Sequence, residues 1–120
     1  MTARVLIVDD IPTNVRLLEA RLTAEYFEVV TATSGQQALE ICANSDIDIV
    51  LLDVMMPEMD GPTTLRALRA QGHESPVVFI TARSQASEQQ ALVAAGALGV
   101  ISKPFDPMKL ADAVLGYLSR

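Results

Sequence analysis

At 120 residues the chain is long enough for one hydrophobic core and reads as a single domain, residues 1–120. Hydrophobic residues at 50% against 20% charged exclude a disordered chain, and 9 basic against 15 acidic residues, a net charge of -6, disfavour nonspecific binding to nucleic acid or an anionic membrane. The lone Cys42 excludes an internal disulfide; with no membrane-length apolar run and no signal-peptide core behind Met1, the chain reads as cytoplasmic.

In chain order, Arg4-Val5-Leu6-Ile7-Val8 is a short aliphatic run that ends in Asp9-Asp10. Such a run predicts a strand buried on both faces of a parallel sheet. Pro12 suits the first turn of a helix whose stripe is Val15, Leu18 and Leu22. Phe27 to Ala32 predicts a second strand nearer the edge, and Ser34 with Gln37 has the spacing of a capping box. The helix begun there carries Ala38, Leu39 and Cys42, the last read as a core residue. Ile49 to Leu52 forms the third strand and ends at Asp53, a carboxylate that needs partners in such a place. Met-Pro and Asp-Gly then turn the chain; Pro62 starts a helix with Leu65 and Leu68, which ends by Gly72. His73 falls in a polar segment and is expected to be exposed, whereas Met55, Met56 and Met59 are expected to pack around the loop. Pro76 to Thr81 is a fourth strand. A helix from about Ala86 carries Ala91, Leu92 and Ala95, with Gly96 as its C′ residue. Leu98 to Ser102 is the fifth strand, and Asp106-Pro107 opens a last helix with Leu110, Val114 and Leu118. Alternating strands and helices with right-handed crossovers make a three-layer α/β sandwich.

The polar residues of this pattern gather at one edge. Asp9, Asp10, Asp53, Thr81 and Lys103 all follow strand ends, and in a flavodoxin-like sheet ordered 2-1-3-4-5 the first and third strands are neighbours. Each residue has an ordinary reading too: the acids as turn or cap residues, Thr81 as a β-branched strand residue, Lys103 as solvated surface. Their convergence on one edge favours a site. Three carboxylates in one crevice call for a cation, and oxygen donors without His or Cys suit Mg²⁺ or Mn²⁺. A nearby Lys and a hydroxyl would complete the hydrogen bonding to a phosphoryl group, and a carboxylate can itself be the nucleophile.

Val5-Leu6-Ile7-Val8-Asp9-Asp10, Asp53 through Met56-Pro57 to Asp60-Gly61, Ile80-Thr81-Ala82, Gly96-Ala97 and Lys103-Pro104-Phe105 together resemble the receiver domain of bacterial two-component response regulators, over essentially the whole length. The first thirty residues are also similar to the leading receiver of diguanylate-cyclase regulators from alphaproteobacteria. The resemblance implies that Asp53 accepts a phosphoryl group from a phosphohistidine on a sensor histidine kinase or a histidine phosphotransfer protein. It implies Mg²⁺ held by Asp10, Asp53 and the backbone carbonyl of Met55, with Asp9 acting through a bound water. It further implies Lys103 and Thr81 on the phosphoryl oxygens, a cis Lys103-Pro104 bond, and Met55 and Arg83 flanking the phosphate. The inward step of Thr81 would shift the region of the fourth and fifth strands and their helices. One position departs from the pattern: many receivers carry Tyr or Phe where this chain has Val100, so the aromatic part of the switch is not carried over.

The expected function is therefore a phosphoacceptor switch that assists its own phosphorylation and dephosphorylation but is not an enzyme on an outside substrate. Output would pass through a downstream protein target, without direct nucleic-acid or membrane binding. The face of the last two helices and the fifth strand is the expected contact surface, including for a dimer. Three rival readings fit the residues less well. A small aspartyl phosphatase would carry an acid where Met55 stands. A flavodoxin-type cofactor module would need a phosphate-cradling loop where Asp9 and Asp10 stand. A receiver-like module that no longer takes phosphate is opposed by the intact set of five residues.

Overall fold

The computed structural model describes residues 3–82, 85–103 and 106–119. Five strands alternate with five helices: β1 (Arg4–Val8), α1 (Pro12–Ala24), β2 (Glu28–Ala32), α2 (Gly35–Asn44), β3 (Ile49–Asp53), α3 (Gly61–Ala70), β4 (Val77–Thr81), α4 (Ala86–Ala94), β5 (Gly99–Ser102) and α5 (Pro107–Leu118). All strand pairs are parallel, as the aliphatic runs and short connections predict, and the order is β2-β1-β3-β4-β5, that expected of a flavodoxin-like sheet.

The period-two alternation of strand side chains divides the core into two layers. Leu6, Val8, Val50, Leu52, Val77 and Phe79 face α2, α3 and α4. Val5, Ile7, Ile49, Leu51, Val78 and Ile80 face α1 and α5. Because β1, β3 and β4 are covered on both sides, they have no polar face before their ends. Each fully buried aliphatic side chain contributes roughly 1.5–3 kcal/mol, so the three central strands form the rigid base of the carboxyl edge.

The caps follow local chemistry. Ser34 accepts from Gln37 N, while the Gln37 side chain returns to Thr33 N at 2.7 Å, so the box closes one residue earlier than its usual form. Asp106 caps α5 by accepting from Met108 N at 2.9 Å. Gly96 takes φ +115 just past α4, the left-handed C′ conformation its sequence position predicts. α3 starts one residue before Pro62, at Gly61, and its N-cap is Asp60, which accepts from Thr63 N at 2.9 Å. The Asp60-Gly61 pair, expected as a turn, thus also opens a helix.

Four expectations are corrected. β2 begins at Glu28 because Phe27 N is already bonded to Leu22 O, closing the end of α1. Ala91 and Ala95 do not share the buried face of α4: both are exposed, and Leu92 is the helix's one buried residue. α4 lies over the β5 edge, where Val100 is only half-buried and little sheet surface exists to cover. His73 is half-buried rather than exposed: its backbone N closes α3 on Leu68 O, and its ring Nε2 is buried. Burial, and then the neighbouring Arg69, hold its imidazole below the ordinary value, with Asp46 opposing. The three loop methionines part company: Met56 is buried and Met59 half-buried, but Met55 is 60% exposed.

Candidate functional site

β1 and β3 are hydrogen-bonded neighbours, in register from Val5↔Ile49 to Val8↔Leu52, so the next residues, Asp9 and Asp53, emerge side by side. Asp9 and Asp53 are 2% and 6% exposed, and Asp10 is half-buried beside them. A carboxylate oxygen from each of the three lies within 4.8 Å of the others. The Lys103 ammonium reaches across from the end of β5 to Asp53 Oδ1 at 3.4 Å and Asp9 Oδ2 at 3.6 Å. Thr81, at the end of β4, is buried at the same edge. The five predicted residues thus come together at the carboxyl ends of β1, β3, β4 and β5.

The neighbours hold these groups in place. Asp9 Oδ1 accepts from Ile11 N at 2.9 Å, which turns the chain into α1 and orients the carboxylate. Lys103 N donates to Thr81 O at 2.7 Å, so the two residues share one backbone junction. Burial, followed by the Asp9 charge, pushes the Asp53 carboxyl above its ordinary value; Lys103 pulls it back, and Asp10 adds a smaller upward push. Formally, three carboxylates face one ammonium here, so the described groups leave negative charge in excess.

Two residues at the start of α3 support this edge. Gly61 lies against the end of β3: a Cβ there would stand 2.6 Å from Asp53 O and 2.8 Å from the Phe79 ring. Its N–H also bonds Val54 O at 2.8 Å, so the loop after Asp53 is clamped to the start of α3. Asp60, beside it, caps that helix, and the Thr63 hydrogen bonds hold its carboxyl below the usual range. The Asp-Gly pair was visible in the sequence, but which backbone the glycine approaches was not. Arg83, Pro104 and Phe105, including the Lys103-Pro104 bond, lie outside the described residues.

The family model described as the response regulator receiver domain matches residues 5–115. The chain belongs to that family. This receiver is 49% identical over 112 residues to the response regulator PleD of Caulobacter vibrioides, covering 92% of this chain and 25% of PleD. It is 39% identical over 117 residues to the transcriptional regulatory protein CpxR of Escherichia coli, covering 98% of this chain and 50% of CpxR. The receiver therefore spans a quarter to a half of these relatives. Among solved structures, the chemotaxis response regulator CheY4 of Vibrio cholerae superposes with a TM-score of 0.92 at 30% identity, covering 98% of this chain and 99% of that one. The similarity to PleD agrees with the resemblance of the first thirty residues. No helix of the described residues is long and apolar enough to cross a membrane.

Proposed function

We propose that this receiver is a phosphoacceptor switch in two-component signalling, with Asp53 as the residue that takes the phosphoryl group. The observation that carries the reading is Asp53 itself: a buried carboxylate ending a central strand, 3.4 Å from Lys103 Nζ and clustered with Asp9 and Asp10. In the transfer, a carboxylate oxygen of Asp53 attacks phosphorus while the N–P bond of a phosphohistidine breaks. The freed imidazole on the partner then takes a proton. The donor would be a sensor histidine kinase or histidine phosphotransfer protein, and the outcome a changed set of contacts with a downstream protein. Nothing in this chemistry turns over an outside substrate.

The donor set fits a hard divalent cation, Mg²⁺ or Mn²⁺, since it is all oxygen and carries excess negative charge. Asp9, Asp10, Asp53 and the Met55 backbone carbonyl are the residues that would hold it. When bound, such a cation neutralises the carboxylates and the phosphoryl oxygens. The chain's own residues supply the rest. Asp9, fixed by Ile11 N, keeps the crevice polar, and Lys103 pairs with Asp53 and would pass to a phosphoryl oxygen. Thr81 would contribute its hydroxyl to the same group. Incubation with acetyl phosphate and Mg²⁺, followed by intact-mass measurement, should add one phosphoryl group to the parent and none to Asp53→Asn. An unmodified parent, or equal labelling of both proteins, would sink the assignment.

A further inference from the structure

The residues that would contact the phosphoryl group sit on one backbone block. Thr81 and Ser102 are Cα partners at the ends of β4 and β5, and Lys103 N is bonded to Thr81 O. Ser102 therefore stands between the two side chains proposed to meet the phosphate, while its own side chain points elsewhere. Its Oγ accepts a hydrogen bond from Gln89 Nε2 of α4 at 2.9 Å. Val100, two residues earlier and so on the same face of β5, looks toward the same helix. Beside it an open groove of about 500 Å³ is lined by Ala86, Gln89, Gln90, Val93, Ala94 and Val100. α4 is anchored to the core by Leu92 and its N-cap residue Gln85 makes no side-chain cap. A helix held in this way can move at little cost, since the groove offers space and few apolar contacts need to break.

We infer that the Gln89–Ser102 hydrogen bond is the link through which α4 follows the occupancy of Asp53, which makes Gln89 a positioning residue of the switch. The inference rests on the phosphoacceptor reading and deepens it. Arrival of a phosphoryl group gives Lys103 a new partner and draws Thr81 toward it; both displacements act on the block that contains Ser102. The serine hydroxyl transmits them to the Gln89 amide, a polar route on a face where Val100 supplies only a small side chain. Because coupling is reciprocal, a helix held by Gln89 in turn biases the position of Lys103.

The test uses the parent chain, Gln89→Ala, Ser102→Ala, the double variant and Ser102→Thr. Intact mass after acetyl phosphate and Mg²⁺ reports labelling at Asp53, and amide hydrogen exchange of residues 86–94 reports α4. Labelling should change α4 exchange in the parent. Each alanine variant should shrink that change roughly threefold, the size expected for one net hydrogen bond. The double variant should lose no more than either single, and Ser102→Thr, which keeps the hydroxyl, should restore the response. An undiminished response in the single variants, additive losses in the double, or a threonine variant as poor as the alanine would overturn the link. So would a labelled parent whose α4 exchange does not change. Failure of the parent to gain the phosphoryl mass would instead strike the Asp53 reading, on which the link depends.

Discussion

Two neighbouring helices on the same side of the sheet are held by opposite means. α3 is capped by Asp60, sets Gly61 against the backbone of Asp53, and buries Thr64, Leu65 and Leu68 completely. In α4 the N-cap residue Gln85 makes no side-chain cap, Leu92 is the one buried residue, and an open groove lies beside the helix. Both helices adjoin loops that leave the carboxyl edge, yet one clamps the proposed phosphoacceptor and the other is free to answer it. The division is physically sensible. The nucleophile must be positioned within a fraction of an ångström, whereas a signal needs an element with little to lose on moving.

The largest expected contrast comes from truncating each helix's anchor. Leu68→Ala should cost about 3–4 kcal/mol of global stability in urea unfolding, because a fully buried leucine leaves a cavity in a layer packed on all sides. Leu92→Ala should cost about 2 kcal/mol or less, with amides 86–94 exchanging through a local opening while those of α3 still follow global unfolding. Equal costs, with equally slow exchange in both helices, would erase the distinction.

A smaller effect tests the caps. Asp60→Ala should destabilise by about 1 kcal/mol through loss of the Thr63 hydrogen bond. Gln85→Ser should do the reverse in α4. Its backbone is already extended at the cap, so a serine hydroxyl there would accept from a first-turn N–H and add about 0.5–1 kcal/mol. Slower exchange across α4 in that variant, together with a weaker response to labelling, would tie the looseness of the helix to its use. A capped α4 that responds as fully as the parent would argue that looseness is incidental.

The smallest effect concerns pH on the clamped side. The folded-state pKa of Asp53 is raised, chiefly by burial, so the folded chain binds its proton more tightly than the unfolded chain does. Its contribution is favourable below the unfolded carboxylate value of about 4 and is lost as pH rises through the folded value. Asp53→Asn should therefore melt above the parent at neutral pH in metal-free buffer, with the gap closing as pH falls toward about 4. A melting temperature for the variant below the parent's at neutral pH would show instead that Lys103 outweighs burial and Asp9.

Much of the fold could be read residue by residue. The aliphatic runs of β1, β3 and β4, the Leu stripes of α1 and α3, and the caps at Ser34 and Asp106 are local signals, and they appear where the sequence places them. Asp9, Asp10, Asp53, Thr81 and Lys103 were legible because strand ends in a parallel sheet share an edge, so position along the chain translates into proximity. Asp60 and Gly61 were legible as a turn and as part of the receiver-like pattern, but not as a cap and a clamp on the backbone of Asp53. His73 and the alanines of α4 were misjudged because their burial depends on what lies opposite, which no local period encodes.

Hydrophobic periodicity and the handedness of crossovers, both legible in the residues, dictate the layers and the parallel sheet; the strand order, and with it the gathering of three acids, a lysine and a hydroxyl, follows once the sheet is taken as flavodoxin-like. How tightly each helix is held, and which side chains join β5 to α4, is visible only in the folded chain. Those depend on contacts between separate elements: Gly61 with Asp53 and Phe79, and Gln89 with Ser102. Such contacts are set by distances between elements, and a distance between elements is written in no single stretch of residues.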